Sequence, residues 1–120
     1  MRALVVLAAV VAAQAAASNK VDIVSVTGCL REAAPNNWML TSTTDPVPSV
    51  ANAPTAKEIP TAPPAGTNEF KLIGISEFNL PAHKDHTILV KGLYIKATPA
   101  SRLNITSVTM VAPTCAAGAK

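Results

Sequence analysis

Apolar and polar residues alternate with a period of two in five stretches of this chain, and each such stretch predicts a strand. In residues 21–30, Val24, Val26, Gly28 and Leu30 fall on one face and Ser25, Thr27 and Cys29 on the other. Pro35 and the Asn36-Asn37 pair within residues 33–37 predict a turn. A short second strand over 38–42 places Trp38 and Leu40 on one face, and a third over 70–75 does the same with Phe70 and Leu72. The clearest alternation is 87–96, where Ile88, Val90 and Gly92 alternate with Leu89 and Lys91. Pro99-Ala100-Ser101 forms a turn, and the last strand, 103–111, points Leu103 and Ile105 inward before Pro113 stops it.

Two segments break the pattern. Residues 45–67 contain Pro46, Pro48, Pro54, Pro60, Pro63 and Pro64 among alanines and threonines. Proline withholds the backbone donors that a ladder needs, so this stretch is expected to be a loop or flexible excursion. Its length goes with either function or disorder, and disorder is the plainer expectation. Residues 76–86, with Glu77, Phe78, Leu80 and Pro81, are too irregular for a strand and suit a short helix or a turn.

Two of the strands, Val24-Ser25-Val26-Thr27-Gly28 and Ile88-Leu89-Val90-Lys91-Gly92, end their β-branched alternation in glycine. A glycine late in a strand marks a bulge or tight bend, and a small closed barrel needs such bends. An all-β fold follows: a small five-stranded Greek-key barrel of the OB type, with a short helix between strands 3 and 4. An immunoglobulin-like sandwich is the competitor, because Cys, Trp and Cys occur in that order. Trp38 follows Cys29 too closely for it, no Tyr stands two residues before Cys115, and five strands are too few.

The first 18 residues differ in kind. Met1-Arg2 is a positive start, residues 3–17 are apolar apart from Gln14, and Ala15-Ala16-Ala17-Ser18 offers a small-x-small cleavage pattern. The apolar run is shorter than the roughly twenty residues of a spanning helix. Residues 1–18 therefore read as a cleaved signal peptide, with no stable membrane span afterwards, and residues 19–117 as the domain. The expected location is secreted or periplasmic. Cys29 and Cys115 are the only cysteines, and in an oxidising compartment they pair in one way, as a structural disulfide.

These residues resemble a family of small exported bacterial domains of unknown function with an OB-like barrel. The likeness runs through Val26-Thr27-Gly28-Cys29-Leu30, Trp38-Met39-Leu40-Thr41 and Phe70-Lys71-Leu72-Ile73-Gly74. It continues through Leu80 with His83, Ile88-Leu89-Val90-Lys91-Gly92 and the late Cys115. The resemblance implies a barrel fold and export but no activity. The family's connection is shorter where residues 45–67 stand here.

Candidate chemistry is sparse. Formal charge is +3, too mild for a duplex-binding stripe. Lys91, Lys96 and Arg102, with Tyr94 as the nearest aromatic, form the candidate ligand-binding group; OB barrels bind single strands with such residues. Lysines there also serve as ordinary edge protection, and export argues against nucleic acid. His83 and His86 are the candidate metal ligands, three apart on a helix, but zinc wants a third or fourth ligand. Asn104-Ile105-Thr106 fits a glycosylation acceptor but lies in a strand, so no glycan is expected. Neither a G-x-S-x-G nor a glycine-rich phosphate loop is present, and spacing selects no carboxylate pair. No cofactor is expected. The sequence predicts a non-enzymatic binding module for a protein, glycan or small ligand. The alternatives are a structural envelope-associated protein without a discrete ligand and a small secreted hydrolase.

Overall fold

The computed structural model describes residues 22–49 and 53–119, so the leader read over residues 1–18 lies outside the described residues. Six strands follow in order: β1 (Ile23–Ala34), β2 (Asn37–Thr43), β3 (Val47–Pro48), β4 (Asn68–Ile73), β5 (Thr87–Ile95) and β6 (Ser101–Ala112). The helical elements among the described residues are short 3-10 turns at Ala56–Glu58 and Leu80–His83.

The five long strands close on themselves in a ring. The N-terminal part of β1 pairs antiparallel with β5, from Ile23 opposite Leu93 to Cys29 opposite Thr87. Its C-terminal part pairs with β2, from Cys29 opposite Thr41 to Ala34 opposite Asn37. Next, β2 pairs with β4, β4 runs parallel to the start of β6, and β6 returns antiparallel along β5. Two-residue β3 adds a sixth strand on the outside of β1, making one mixed sheet rather than two facing ones.

The alternation read from the sequence sets which face is inside. Val24, Val26, Leu30, Trp38, Leu40, Phe70, Leu72, Ile88, Val90, Leu103 and Ile105 fill the interior, and Leu80 from the 3-10 turn joins them. Both strand glycines sit where backbone crowds backbone. A Cβ on Gly28 would meet the side chain of Thr43 and lie 2.8 Å from the Thr41 carbonyl oxygen. A Cβ on Gly92 would lie 2.6 Å from the Asn104 carbonyl oxygen, at the register shift between β5 and β6. These are the bends expected of a tightly curled sheet.

Cys29 and Cys115 are joined in a disulfide. Cys29 is the residue of β1 that pairs with both β2 and β5, so the bridge clips the C-terminal tail onto the point where the ring closes. Thr87 Oγ1 fixes the same tail by donating to the Thr114 carbonyl at 2.7 Å.

The structure departs from the sequence reading in three places. The short helix expected within 76–86 is a single 3-10 turn; Pro81 fits its first turn, and Asp85 at φ 64° turns the chain away just beyond it. The first hairpin is longer than its apolar alternation. Arg31 pairs with Met39 and Glu32 with Trp38, and Asn36 turns the chain at φ 60°. Within the Pro-rich segment, β3 and the Ala56–Glu58 turn are built structure rather than a bare excursion.

Candidate functional site

In a closed sheet the outward side chains normally meet water. At three positions of β1 and β5 they do not: Thr27 is 5% exposed, Leu89 0% and Lys91 1%. A fully covered lysine on the outer face of a strand needs both a lid and a counter-charge. The Pro-rich segment supplies both for Lys91.

The segment leaves β2 and is tied down at once. The Thr44 N–H donates to the Thr27 carbonyl at 3.0 Å, and the Thr27 N–H donates to Thr44 Oγ1 at 3.1 Å. Next, β3 pairs Val47 with Ser25 and Pro48 with Val24, and the Ser49 N–H reaches the Ile23 carbonyl at 2.9 Å. Farther on, the turn at Ala56–Glu58 is closed by the Glu58 side chain, whose Oε1 accepts from the Thr55 N–H at 2.8 Å. The same oxygen accepts from Lys91 Nζ at 2.9 Å, and Lys91 also donates to the Ala53 carbonyl at 3.3 Å. The segment returns through Gly66, whose N–H donates to the Ser42 carbonyl at 2.9 Å. Asn68 Nδ2 then donates to Asp45 Oδ1 at 2.8 Å, joining the two ends. What the sequence presents as a loop is a strap across the outside of β1.

Glu58 is the hub of this arrangement. The Thr55 N–H and the Lys91 ammonium hold its carboxyl below its ordinary value near 4.5, against an opposing push from partial burial. The Glu58 side chain is 29% exposed and the Lys91 side chain 1%, so the pair meets solvent through Glu58.

Between strap and sheet lies a cleft of about 270 Å³, lined by Ser25, Thr27, Thr44, Val47, Glu58 and Pro60. Its chemistry is hydroxyls, one carboxylate already offset by Lys91, and two apolar surfaces, of which Val47 is 57% exposed. Such a lining can hydrogen-bond a neutral polar ligand and pack against its apolar side. A second hollow of about 310 Å³, lined by Ser42, Gly66, Thr67, Glu69 and Gly118, lies where the strap returns near the tail.

The residues singled out from the sequence do not form one group. Lys91 is buried beneath the strap, while Lys96 and Arg102 are exposed near the β5–β6 turn. Tyr94 is half-buried, packs edge-on against Phe70 with ring centroids 6.1 Å apart, and belongs to the margin of the core. Arg102 lies in register with Lys71 of β4 and Ile95 of β5. His83 and His86 are not on one helix, because His83 ends the 3-10 turn and His86 follows its cap. Their rings still meet edge-on at 6.0 Å, and both Nδ1 atoms are shielded without a hydrogen-bond partner. Among the described residues no group of three or more His, Cys, Asp or Glu could hold a metal ion.

Glu58, which ties the strap to Lys91, is a residue that the sequence pattern does not single out. One signal for it exists: Thr55 and Glu58 stand three apart, the spacing by which a side chain closes a helical turn. Comparison with protein-family models, with curated proteins and with solved structures finds no match to this chain.

Proposed function

We propose that this chain is an exported, non-enzymatic binding module that presents the strap cleft to a neutral hydrogen-bonding ligand, a glycan or an extended peptide segment. One observation carries the reading: the covered Lys91 holds Glu58, and through it the whole strap, over a cleft lined with hydroxyls. A loop fixed on a rigid scaffold is where small β folds place recognition. A disulfide fits an oxidising compartment, which supports export, as does the leader-like start of the sequence. The resemblance to small exported bacterial domains of unknown function rests on the sequence motifs and is compatible with the small β fold and its cystine.

The test is amide-resolved NMR titration of the disulfide-intact protein with a panel of neutral oligosaccharides and short uncharged peptides. The expected result is saturable shifts at Ser25, Thr27 and Thr44, lost in a Val47→Trp variant that fills the cleft. A panel that leaves those amides still, or binds V47W as well as the parent, overturns the proposal.

A further inference from the structure

Residues paired across neighbouring strands put their side chains on the same face of a sheet. Arg31 of β1 pairs with Met39 of β2, Met39 with Lys71 of β4, Lys71 with Arg102 of β6, and Arg102 with Ile95 of β5. Their neighbours one step along, Leu30, Leu40 and Phe70, point into the core, so this row runs across the outside of the ring. Arg31, Lys71 and Arg102 are cations, and exposed Lys96 follows Ile95 at the end of the row. With neighbouring strands roughly 5 Å apart, Lys71 stands about 5 Å from Arg102 and about 10 Å from Arg31 at the backbone.

The cations are not equally engaged. Arg31 forms an ion pair with Asp85 at 2.8 Å. Lys71 donates to Asn37 Oδ1 at 2.9 Å, a neutral partner. Among the described residues Lys71, Lys96 and Arg102 form no ion pair. Glu69, exposed two residues before Lys71 on the same side of β4, bounds the row on one flank. The surplus charge of this surface is therefore positive, at Lys71, Arg102 and Lys96. None of the residues lining the strap cleft belongs to β4 or β6, so the two surfaces are separate.

We infer that this row binds an acidic glycan, through the sulfate or carboxylate groups that such a chain carries along its length. Charge selects an anion. The Arg102 guanidinium can fork onto a sulfate or carboxylate, with the Lys71 ammonium as a point charge beside it. An extended peptide finds no free backbone to join, because where the row crosses β2, β4 and β6 each is paired on both sides. Single-stranded nucleic acid stacks its bases on aromatic faces. Here Trp38 and Phe70 are buried, and Phe78 and Tyr94 are half-buried against the core. A glycan needs neither a free edge nor a stacking platform. Its charges meet the cations, and Met39 and the 39% exposed Ile95 offer apolar surface to the carbons of its rings.

The experiment titrates the disulfide-intact protein into four fluorescent probes of equal length: a heparin oligosaccharide, an oligogalacturonate, a neutral oligosaccharide and an oligothymidylate. Anisotropy is read at low and at near-physiological salt. At least one acidic glycan is expected to bind, more weakly at the higher salt, and tighter than the neutral sugar and the oligothymidylate. Which of the two acidic glycans binds tighter tells sulfate from carboxylate recognition. Arg102→Gln and Lys71→Gln are each expected to weaken binding about tenfold. Lys57→Gln, the same loss of charge at an exposed position outside the row, should leave it unchanged. All three should keep the parent's circular dichroism spectrum, because each of these side chains reaches solvent. A protein that binds neither acidic glycan overturns the inference. So does an oligothymidylate bound as tightly as the glycan, or a Lys57→Gln variant that loses as much affinity as Arg102→Gln.

Discussion

Replacing Cys29 and Cys115 together by alanine tests how much of this fold depends on closing the ring. The bridge spans 86 residues, and for a loop of that length the chain-entropy model gives about 4.6 kcal/mol at 25 °C. Cys29 is 2% exposed, so losing its sulfur from a packed site adds something under about 1 kcal/mol. Alanine rather than serine avoids burying a new hydroxyl at that position. Residual structure in the denatured chain works the other way and trims the gain from cross-linking. The net expectation is a loss of about 4–5 kcal/mol. A domain this small has roughly 5–10 kcal/mol in all, so the double variant should stand near the edge of folding.

Urea unfolding followed by Trp38 fluorescence reads the change directly. With a slope of about 1.2 kcal/mol/M, the midpoint should fall by roughly 3–4 M. The slope itself should rise, because an uncrosslinked denatured chain exposes more surface. The structure also says where the damage begins: at Cys29, which pairs with both Thr41 and Thr87, and at the tail fixed by Thr87 and Thr114. A loss below about 1 kcal/mol with an unchanged slope would refute this reasoning. The ring would then hold its own seam, and the tail would be ornament.

Two further outcomes follow from the same contacts. The Glu58 carboxyl is held below its ordinary value near 4.5 by the Thr55 N–H and then by Lys91, so its contribution is present above that value and lost as pH falls through the lowered one. Protection factors at Thr55, Glu58 and Ser49, corrected for the slower intrinsic exchange in acid, should therefore fall on acidification below about pH 4.5 while the interior of β5 stays protected, and Glu58→Gln should show the low protection at neutral pH already; uniform loss across the ring would contradict it. Gly92→Ala should cost about 1–3 kcal/mol or more in urea unfolding, because the atoms met by a Cβ are the Asn104 backbone and cannot swing aside; a neutral substitution would mean that the β5–β6 register shift is not fixed by that contact.

The ring was legible through the residues that face its interior. Val24, Val26 and Leu30 alternate with Ser25, Thr27 and Cys29, and Ile88 and Val90 with Leu89 and Lys91, so the face that meets the core stands out even though Thr27, Leu89 and Lys91 on the other face are covered too. Both glycines of those strands were legible too, since a strand that must bend into another backbone has no room for a Cβ. The hairpin end at Arg31 and Glu32 was not: there the ribbon leaves the core, pairing continues, and the apolar period has nothing to report. The 3-10 turn at Leu80–His83 is too short to develop a period at all. Lys91 misled most. Its alternation marks it as outward, which is true, but outward here means under the strap, and no local pattern records what a distant segment will cover.

That cover explains why a charge pair stands where an apolar contact would be simpler. A buried pair is weak evidence of stability, since desolvation offsets much of the attraction. The strap, however, is mostly alanine, proline and threonine, with few large apolar side chains to lock it at one place on β1. Prolines keep it extended, but extension does not choose a register. The ammonium of Lys91 does, because it can be covered only where a carboxylate arrives, and Glu58 is the acidic residue of the segment between β3 and β4. Thr55 then fixes that carboxylate from behind. The pair thus specifies position, and position is what turns a proline-rich connection into the wall of a defined cleft.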